Sequence, residues 1–275
     1  MAVHITILVD NQAGPGLTAE HGLSFWMEVD GKSILFDAGQ GRVFANNAQT
    51  LGIDLHRTDA VVLSHGHYDH TGGIPWILQA APQAAVYAHP SILKESYSVR
   101  DGVAKPVSIP ATSRASLDQA GRQVVWVTGP LTLFSQVELS GPIPRDTDFE
   151  DTGGPFYLDP QGVQSDQLED DLALWIPTTK GLVVCLGCCH AGLVNTLHHI
   201  HRLSGQQPVH AVLGGLHLLQ AGRERMMRTV TALRGRTPDR IIPCHCSGKE
   251  AVAELRQAFP EQVTPGYAGL EMRFE

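Results

Sequence analysis

The chain opens with short apolar or alternating runs, the period-two pattern of strands buried on one or both faces. Positions 4–9, 24–29, 33–36 and 60–63 fit it, and Asp30-Gly31-Lys32 marks a hairpin between the second and third runs. A helix is predicted over 74–81, with Pro75 in its first turn, and a strand over 85–88. Periodicity is weak from Ser91 to about Gln123, and strands are expected again at 123–127 and 131–139. Positions 141–171 then carry nine carboxylates against one basic residue, Arg145. Positions 141–171 read as a solvated surface loop or, with the stretch from 91 onward (91–171), as a loop or lid over an active site, as long loops in compact domains commonly are. Regularity returns with strands at 172–176 and 181–186, a helix over 193–203 and a strand at 211–213. A helix over 223–234, a strand at 240–242 and a last helix over 249–259 follow. Ser247 and Glu250 have the spacing of a capping box for that last helix. Arg223, Arg225 and Arg228 read as a solvated helix face. Two strand-and-helix halves without a linker or a repeat imply an α/β fold in one domain spanning 1–275.

Composition narrows the class. With 43% hydrophobic and 17% charged residues and 28 glycines, the chain is no collagen, coiled coil or disordered polymer. Twenty Lys and Arg against 28 Asp and Glu, a net charge of −8, argue against general nucleic-acid affinity. The first ten residues read as a strand and not as a signal peptide, since they lack a basic start and a cleavage site. No apolar run approaches the ~20 residues of a membrane span. Five cysteines cluster between positions 185 and 246, in Cys185-Leu186-Gly187-Cys188-Cys189 and Cys244-His245-Cys246. That clustering does not resemble a disulfide framework, and it leads to the expectation of a soluble protein in a reducing cytoplasm without membrane partners.

The chemistry concentrates in Val61-Val62-Leu63-Ser64-His65-Gly66-His67-Tyr68-Asp69-His70-Thr71-Gly72-Gly73. A buried strand ends, and three imidazoles with one carboxylate follow on a glycine-rich turn. These are the donors a borderline divalent ion prefers. His65 and His67 face the same side of an extended segment, whereas Asp69 and His70 can be aimed elsewhere, so the spacing suggests two neighbouring ions.

This His-x-His-x-Asp-His loop resembles that of the metallo-β-lactamase superfamily. Ile34-Leu35-Phe36-Asp37-Ala38-Gly39 is similar to the superfamily's earlier strand, whose aspartate supports the metal loop. The resemblance implies an αββα sandwich with two divalent metal ions at one edge, most simply zinc, with manganese or iron as alternatives. Three more histidines end apolar runs among small residues: Gly187-Cys188-Cys189-His190-Ala191-Gly192, Gly214-Gly215-Leu216-His217 and Pro243-Cys244-His245-Cys246-Ser247-Gly248. The resemblance places His65, His67 and His190 on one ion and Asp69, His70 and His245 on the other. His217 reads as a residue supporting the ligands or contacting substrate, where it could donate to developing negative charge. His198, His199 and His201 fall on a helix and read as surface or packing residues. Many members of the superfamily carry a bridging aspartate where this chain has Cys188. The cysteine could bind in its place, Asp170 or Asp171 could supply a carboxylate, or a water could bridge. Cys189, Cys244 and Cys246 are expected to pack. Cys185 and Cys188 alone do not make a zinc ribbon.

Two ions roughly 3.5–4 Å apart lower the pKa of a shared water and stabilise the charge that develops on attack. Asp69 would orient that water or carry its proton. Leu8-Val9-Asp10-Asn11, Gly22-Leu23-Ser24, Phe36-Asp37-Ala38-Gly39-Gln40 and the three histidine runs together are similar to one subgroup of the superfamily. That subgroup is the 7,8-dihydropterin-6-yl-methyl-4-(β-D-ribofuranosyl)aminobenzene 5′-phosphate synthases. The resemblance implies hydrolase-type chemistry on a small phosphorylated, pterin-linked molecule, with a pyrophosphate as a leaving group the ions could activate. Lys249, where the last helix begins, is the candidate phosphate contact. The competing expectations are an iron-dependent oxygenase or oxidase, a phosphodiesterase or lactonase, and a binding module without catalysis.

Overall fold

The computed structural model describes residues 2–134 and 136–275. Strands β1 (Val3–Val9), β2 (Ser24–Val29) and β3 (Lys32–Phe36) form an antiparallel meander. Asp30 (φ 48°) and Gly31 (φ 80°) supply the two left-handed residues that a tight hairpin requires. Helix α1 (Val43–Thr50) then crosses to β4 (Ala60–Val62), which runs parallel to β3. A single turn, α2 (Tyr68–Thr71), and α3 (Ile74–Ala80) lead to β5 (Ala85–Ala88). A hairpin of β6 (Tyr97–Arg100) and β7 (Val103–Pro106) precedes α4 (Ala111–Ala120) and β8 (Val124–Trp126). Next come the short strands β9 (Leu131–Thr132), β10 (Glu138–Leu139) and β11 (Phe156–Tyr157). The second half contains β12 (Ala173–Thr178), β13 (Gly181–Leu186), α5 (Leu193–Leu203) and β14 (Val209–Gly215). It closes with α6 (Arg223–Arg236), β15 (Arg240–Cys244), α7 (Lys249–Ala258) and β16 (Glu271–Phe274).

The strands assemble into a seven-stranded sheet ordered β16-β1-β2-β3-β4-β5-β8 and a six-stranded sheet ordered β15-β14-β13-β12-β10-β9, with β11-β6-β7 apart. Ile5, Ile7, Phe25, Met27 and Phe36 of the first sheet meet Leu174, Ile176, Val183, Cys185 and Leu213 of the second in one buried core. The outer face of the first sheet (Leu8, Trp26, Leu35, Val61) packs with Phe44, Ile77 and Leu117 from α1, α3 and α4. On the far side Trp175, Leu182 and Val184 pack with Leu197, Met226, Val230 and Leu255 from α5, α6 and α7. Sheets covered on both faces need apolar residues at both parities, which explains the near-continuous apolar runs. The result is the expected α/β architecture, an αββα sandwich.

The structure departs from the sequence pattern in five places. The expected strand at 131–139 is two short strands paired with each other; its Ser135 lies outside the described residues. Helices α1 and α4 and the returning strand β16 carry too few apolar residues to stand out. The capping box does not form: α7 starts after Gly248, and the Ser247 hydroxyl instead donates to the Cys244 carbonyl (2.7 Å). The acidic run at 141–171 is not a freely solvated loop. Glu150 accepts from the Val194 and Asn195 amides (2.9 and 2.8 Å), satisfying free N–H groups in the first turn of α5. Arg225, expected on a solvated face, is buried against Asp151, while Arg228 meets Asp148 at 2.7 Å.

Candidate metal centre

Every chemically suggestive loop leaves the carboxyl end of a strand: Asp37 after β3, residues 65–70 after β4, His190 after β13, His217 after β14 and His245 after β15. Strands β3 and β4 are parallel, as are β13, β14 and β15, so both sheets deliver their loops to the same edge of the sandwich.

Asp37, in a left-handed conformation (φ 59°), organises the first loop. Its Oδ1 accepts from the Ser64 amide (2.8 Å) and its Oδ2 from the Ser64 hydroxyl (2.7 Å) and His70 Nδ1 (2.6 Å). Ser64 Oγ in turn faces His65 Nδ1 at 2.9 Å, and the Thr152 carbonyl faces His190 Nδ1 at 2.8 Å. With the Nδ1 positions of His65 and His190 engaged as donors, their Nε2 lone pairs point elsewhere.

They point at one another. The Nε2 atoms of His65, His67 and His190 are buried without a hydrogen-bond partner and lie within 4.8 Å of each other. Burial holds the imidazoles of His65 and His190 well below their usual range and that of His67 down to about 4. All three are neutral at pH 7, and each offers a lone pair to the same point. Three orphaned imidazole nitrogens converging in the interior are what a divalent ion would satisfy, so the residues present fit the metal that the fold implies.

The second expected set converges in part. Asp69 Oδ2 lies 3.3 Å from His245 Nε2 and 3.2 Å from His21 Nε2. Burial raises the Asp69 carboxyl, but these two imidazoles outweigh it and hold it well below the carboxylate range. His245 is anchored by the Asn11 side-chain oxygen at Nδ1 (2.9 Å) and by Asp10 at its amide (2.7 Å). The His70 ring sits 5.1 Å from that of His245, yet its Nε2 turns to Cys188 Sγ at 3.1 Å. Burial lowers His70, but the Asp37 carboxylate prevails and lifts it to about 9. An ion binding at its Nε2 would displace that proton.

Cys188 is buried beside this cluster, its sulfur within 4.8 Å of the ligand atoms of His65 and His70. The two carboxylates considered in its place each hold a loop, and Asp171 keeps its other oxygen, Oδ1, buried without a partner. Asp170 Oδ2 accepts from the Gly66 amide and Asp171 Oδ2 from the Ala191 amide, both at 2.7 Å. Burial pushes Asp170 up to about 7 and Asp171 up to about 6. His217 lies beside His190, with ring centroids 4.3 Å apart, and Phe156 of the acidic segment packs on His67 and His190. Lys249 is exposed at the start of α7, on a cavity of about 800 Å³ that Asn11, His245 and Gly248 also line. His198 is exposed and His199 Nε2 faces the Ser140 carbonyl at 3.0 Å, roles on the surface and in packing. All five cysteines are free and buried.

Sequence reasoning missed His21 and the position of Cys246. His21 sits in no periodic run, and its partners Asp69 and His245 are remote in the chain. Cys246 reads as packing, yet it groups with Cys188 and His217.

This edge of convergent imidazoles on an αββα sandwich defines a class, and the family model of the metallo-β-lactamase superfamily matches residues 17–245. The chain belongs to that superfamily. Among particular relatives, the 7,8-dihydropterin-6-methyl-4-(β-D-ribofuranosyl)-aminobenzene-5′-phosphate synthase of Methanocaldococcus jannaschii is 31% identical, covering 99% of this chain and 97% of its own. A crystal structure of a metal-dependent hydrolase of the β-lactamase superfamily superposes with a TM-score of 0.83 at 29% identity, over 98% of each chain. A diphosphatase of the PhnP family shares the fold, with a TM-score of 0.53 at 14% identity over 100% of this chain and 98% of its own. No helix among the described residues is long and apolar enough to cross a membrane.

Proposed function

We propose that this protein is a dinuclear metal-dependent enzyme of hydrolase type, acting on a small phosphorylated, pterin-linked molecule. The observation that carries the reading is the convergence of three neutral, buried and otherwise unpartnered Nε2 atoms from His65, His67 and His190. Asp69, His70 and His245 would hold the second ion, with Cys188 in the bridging place. Divalent ions there, zinc in the first instance, would supply Lewis-acid polarisation and a water of lowered pKa.

The chain's own groups do the rest. Asp69 stays ionised between His21 and His245, so its carboxylate can accept a hydrogen bond from an attacking water and orient it, while its depressed pKa makes it a weak proton acceptor. His217 offers an N–H from a ring whose nitrogens have no protein partner, and such a fixed donor favours negative charge as it develops. Phe156 and the acidic segment shield the imidazoles from bulk water. Lys249, which lines the same cavity as His245, is the candidate contact for a substrate phosphate. The 31% identical relative is named for making a pterin-linked aminobenzene phosphate, which supports a pterin-linked, phosphorylated class of ligand.

A metal-reconstituted sample assayed against pterin pyrophosphate, phosphodiester and lactone substrates tests this. Release of pyrophosphate from the pterin substrate, lost on chelation, is the expected result. The His67→Ala variant should stay folded by circular dichroism, bind less metal and lose turnover by at least about 100-fold. Full activity in His67→Ala, or turnover unaffected by chelation, would overturn the assignment.

A further inference from the structure

Three neighbouring parallel strands each deliver one further donor to the same edge. Cys188 follows β13, His217 follows β14 and Cys246 follows β15, and the strand register (Leu186 opposite Gly214, Gly215 opposite Cys244) brings them level. Their ligand atoms lie within 4.8 Å of one another. Both His217 ring nitrogens are buried without a hydrogen-bond partner, in a residue held at φ 47°. A non-glycine residue in that conformation persists only where its surroundings enforce it. Cys246 Sγ rests 3.6 Å from the Cys188 carbonyl, and it fits there because position 215 has no side chain: a Cβ on Gly215 would lie 2.6 Å from the sulfur.

We propose that Cys188, His217 and Cys246 form an additional metal position of two thiolates and one imidazole, selective for a thiophilic divalent ion such as zinc. Zinc–sulfur bonds of about 2.3 Å and a zinc–nitrogen bond of about 2.0–2.1 Å would set the donors roughly 3.5–3.8 Å apart. The cluster reaches that spacing by a small contraction. Each thiol gives its proton to solvent as the ion binds, so two thiolates balance the dication. One His217 nitrogen faces the sulfurs and the other keeps its N–H. Cys188 is also grouped with His65 and His70, and its sulfur therefore couples this position to the imidazole site. Cys188 and His217 are shared with the hydrolytic reading, but the position itself needs only a thiophilic ion and no substrate, so metal binding tests it without turnover.

Zinc X-ray absorption on the reduced, zinc-reconstituted full chain tests it. The expected spectrum contains a sulfur shell at about 2.3 Å. Cys246→Ser should lower the sulfur count and release roughly one zinc equivalent per chain, whereas His67→Ala should lose nitrogen scattering and keep the sulfur. Cobalt(II) in place of zinc should give a sulfur-to-cobalt charge-transfer band that Cys246→Ser weakens. If Cys246→Ser fails to fold, the wild-type spectrum decides: sulfur beyond the single donor that Cys188 could supply supports the position, and one sulfur or none overturns it. Unchanged zinc and sulfur in a folded Cys246→Ser overturns it, as does a Cys188–Cys246 disulfide in place of bound metal. Sulfur ligation without turnover would sink the hydrolytic reading alone.

Discussion

At the scale of single residues, the metal loop depends on neighbours that never touch an ion. Ser64 joins Asp37 to His65, and Gly187 leaves room for it: a Cβ there would fall 2.0 Å from Ser64 Oγ. Gly187→Ala is therefore expected to cost about 1–3 kcal/mol of stability. Because it displaces the group that orients His65, it should also weaken metal binding about 10- to 100-fold. Chemical denaturation and a metal-competition titration measure the two effects. The donors of residues 65–70 are legible in the sequence because four of them crowd into six positions after an apolar strand. His190 and His245 are legible by a weaker sign, a histidine among small residues where an apolar run stops. His21 carries no such sign, since it becomes part of the site only when the chain returns to set Asp69 and His245 beside it. The choice among Cys188, Asp170 and Asp171 is not legible in the sequence at all, since only coordinates show Asp170 and Asp171 each holding a backbone amide while Asp171 Oδ1 stays buried and unpartnered.

At the scale of elements, strands were easier to read than helices. Apolar strands announce themselves when both faces are covered. Helix α4 buries only Ser113 and Leu117, and α1 keeps Asn47 inside. The Asn47 side chain is buried because it donates to the Leu8 and Thr18 carbonyls and accepts from the Thr18 amide. A pattern of apolar positions cannot register such a polar anchor. Helix α6 carries a correctable defect at its end. Its C-terminal residue Thr237 is left-handed (φ 46°) and donates its amide to the Leu233 carbonyl at 2.9 Å. A β-branched residue fits that conformation badly, and glycine fits it without strain. Thr237→Gly is expected to stabilise the protein by about 1 kcal/mol, seen as a higher denaturation midpoint with metal content unchanged.

At the scale of the whole molecule, the donors are divided between the two sheets. His65, His67, Asp69 and His70 come from the first, and His190, His217 and His245 from the second. Cations bound between them stabilise only the folded arrangement, by about 2.7 kcal/mol when free metal is 100 times its dissociation constant. Stripping the metal with a chelator should lower the melting temperature by roughly 5–10 °C, and adding zinc back should restore it. Calorimetry with and without chelator makes the measurement, and an unchanged melting temperature would count against ions spanning the sheets. The fold class and the edge that bears the site were legible from the motif and its resemblance. The role of the acidic segment was not, because Glu150 and Asp151 read as solvated charge until their amide and arginine partners are seen.

The interleaved layer of Phe25, Phe36, Leu174 and Val183 keeps the two leaves at a fixed separation, and so works as a calliper on the span between opposing nitrogens. A change in that filling would therefore shift the opposing nitrogens relative to one another, with every coordinating side chain left as it is.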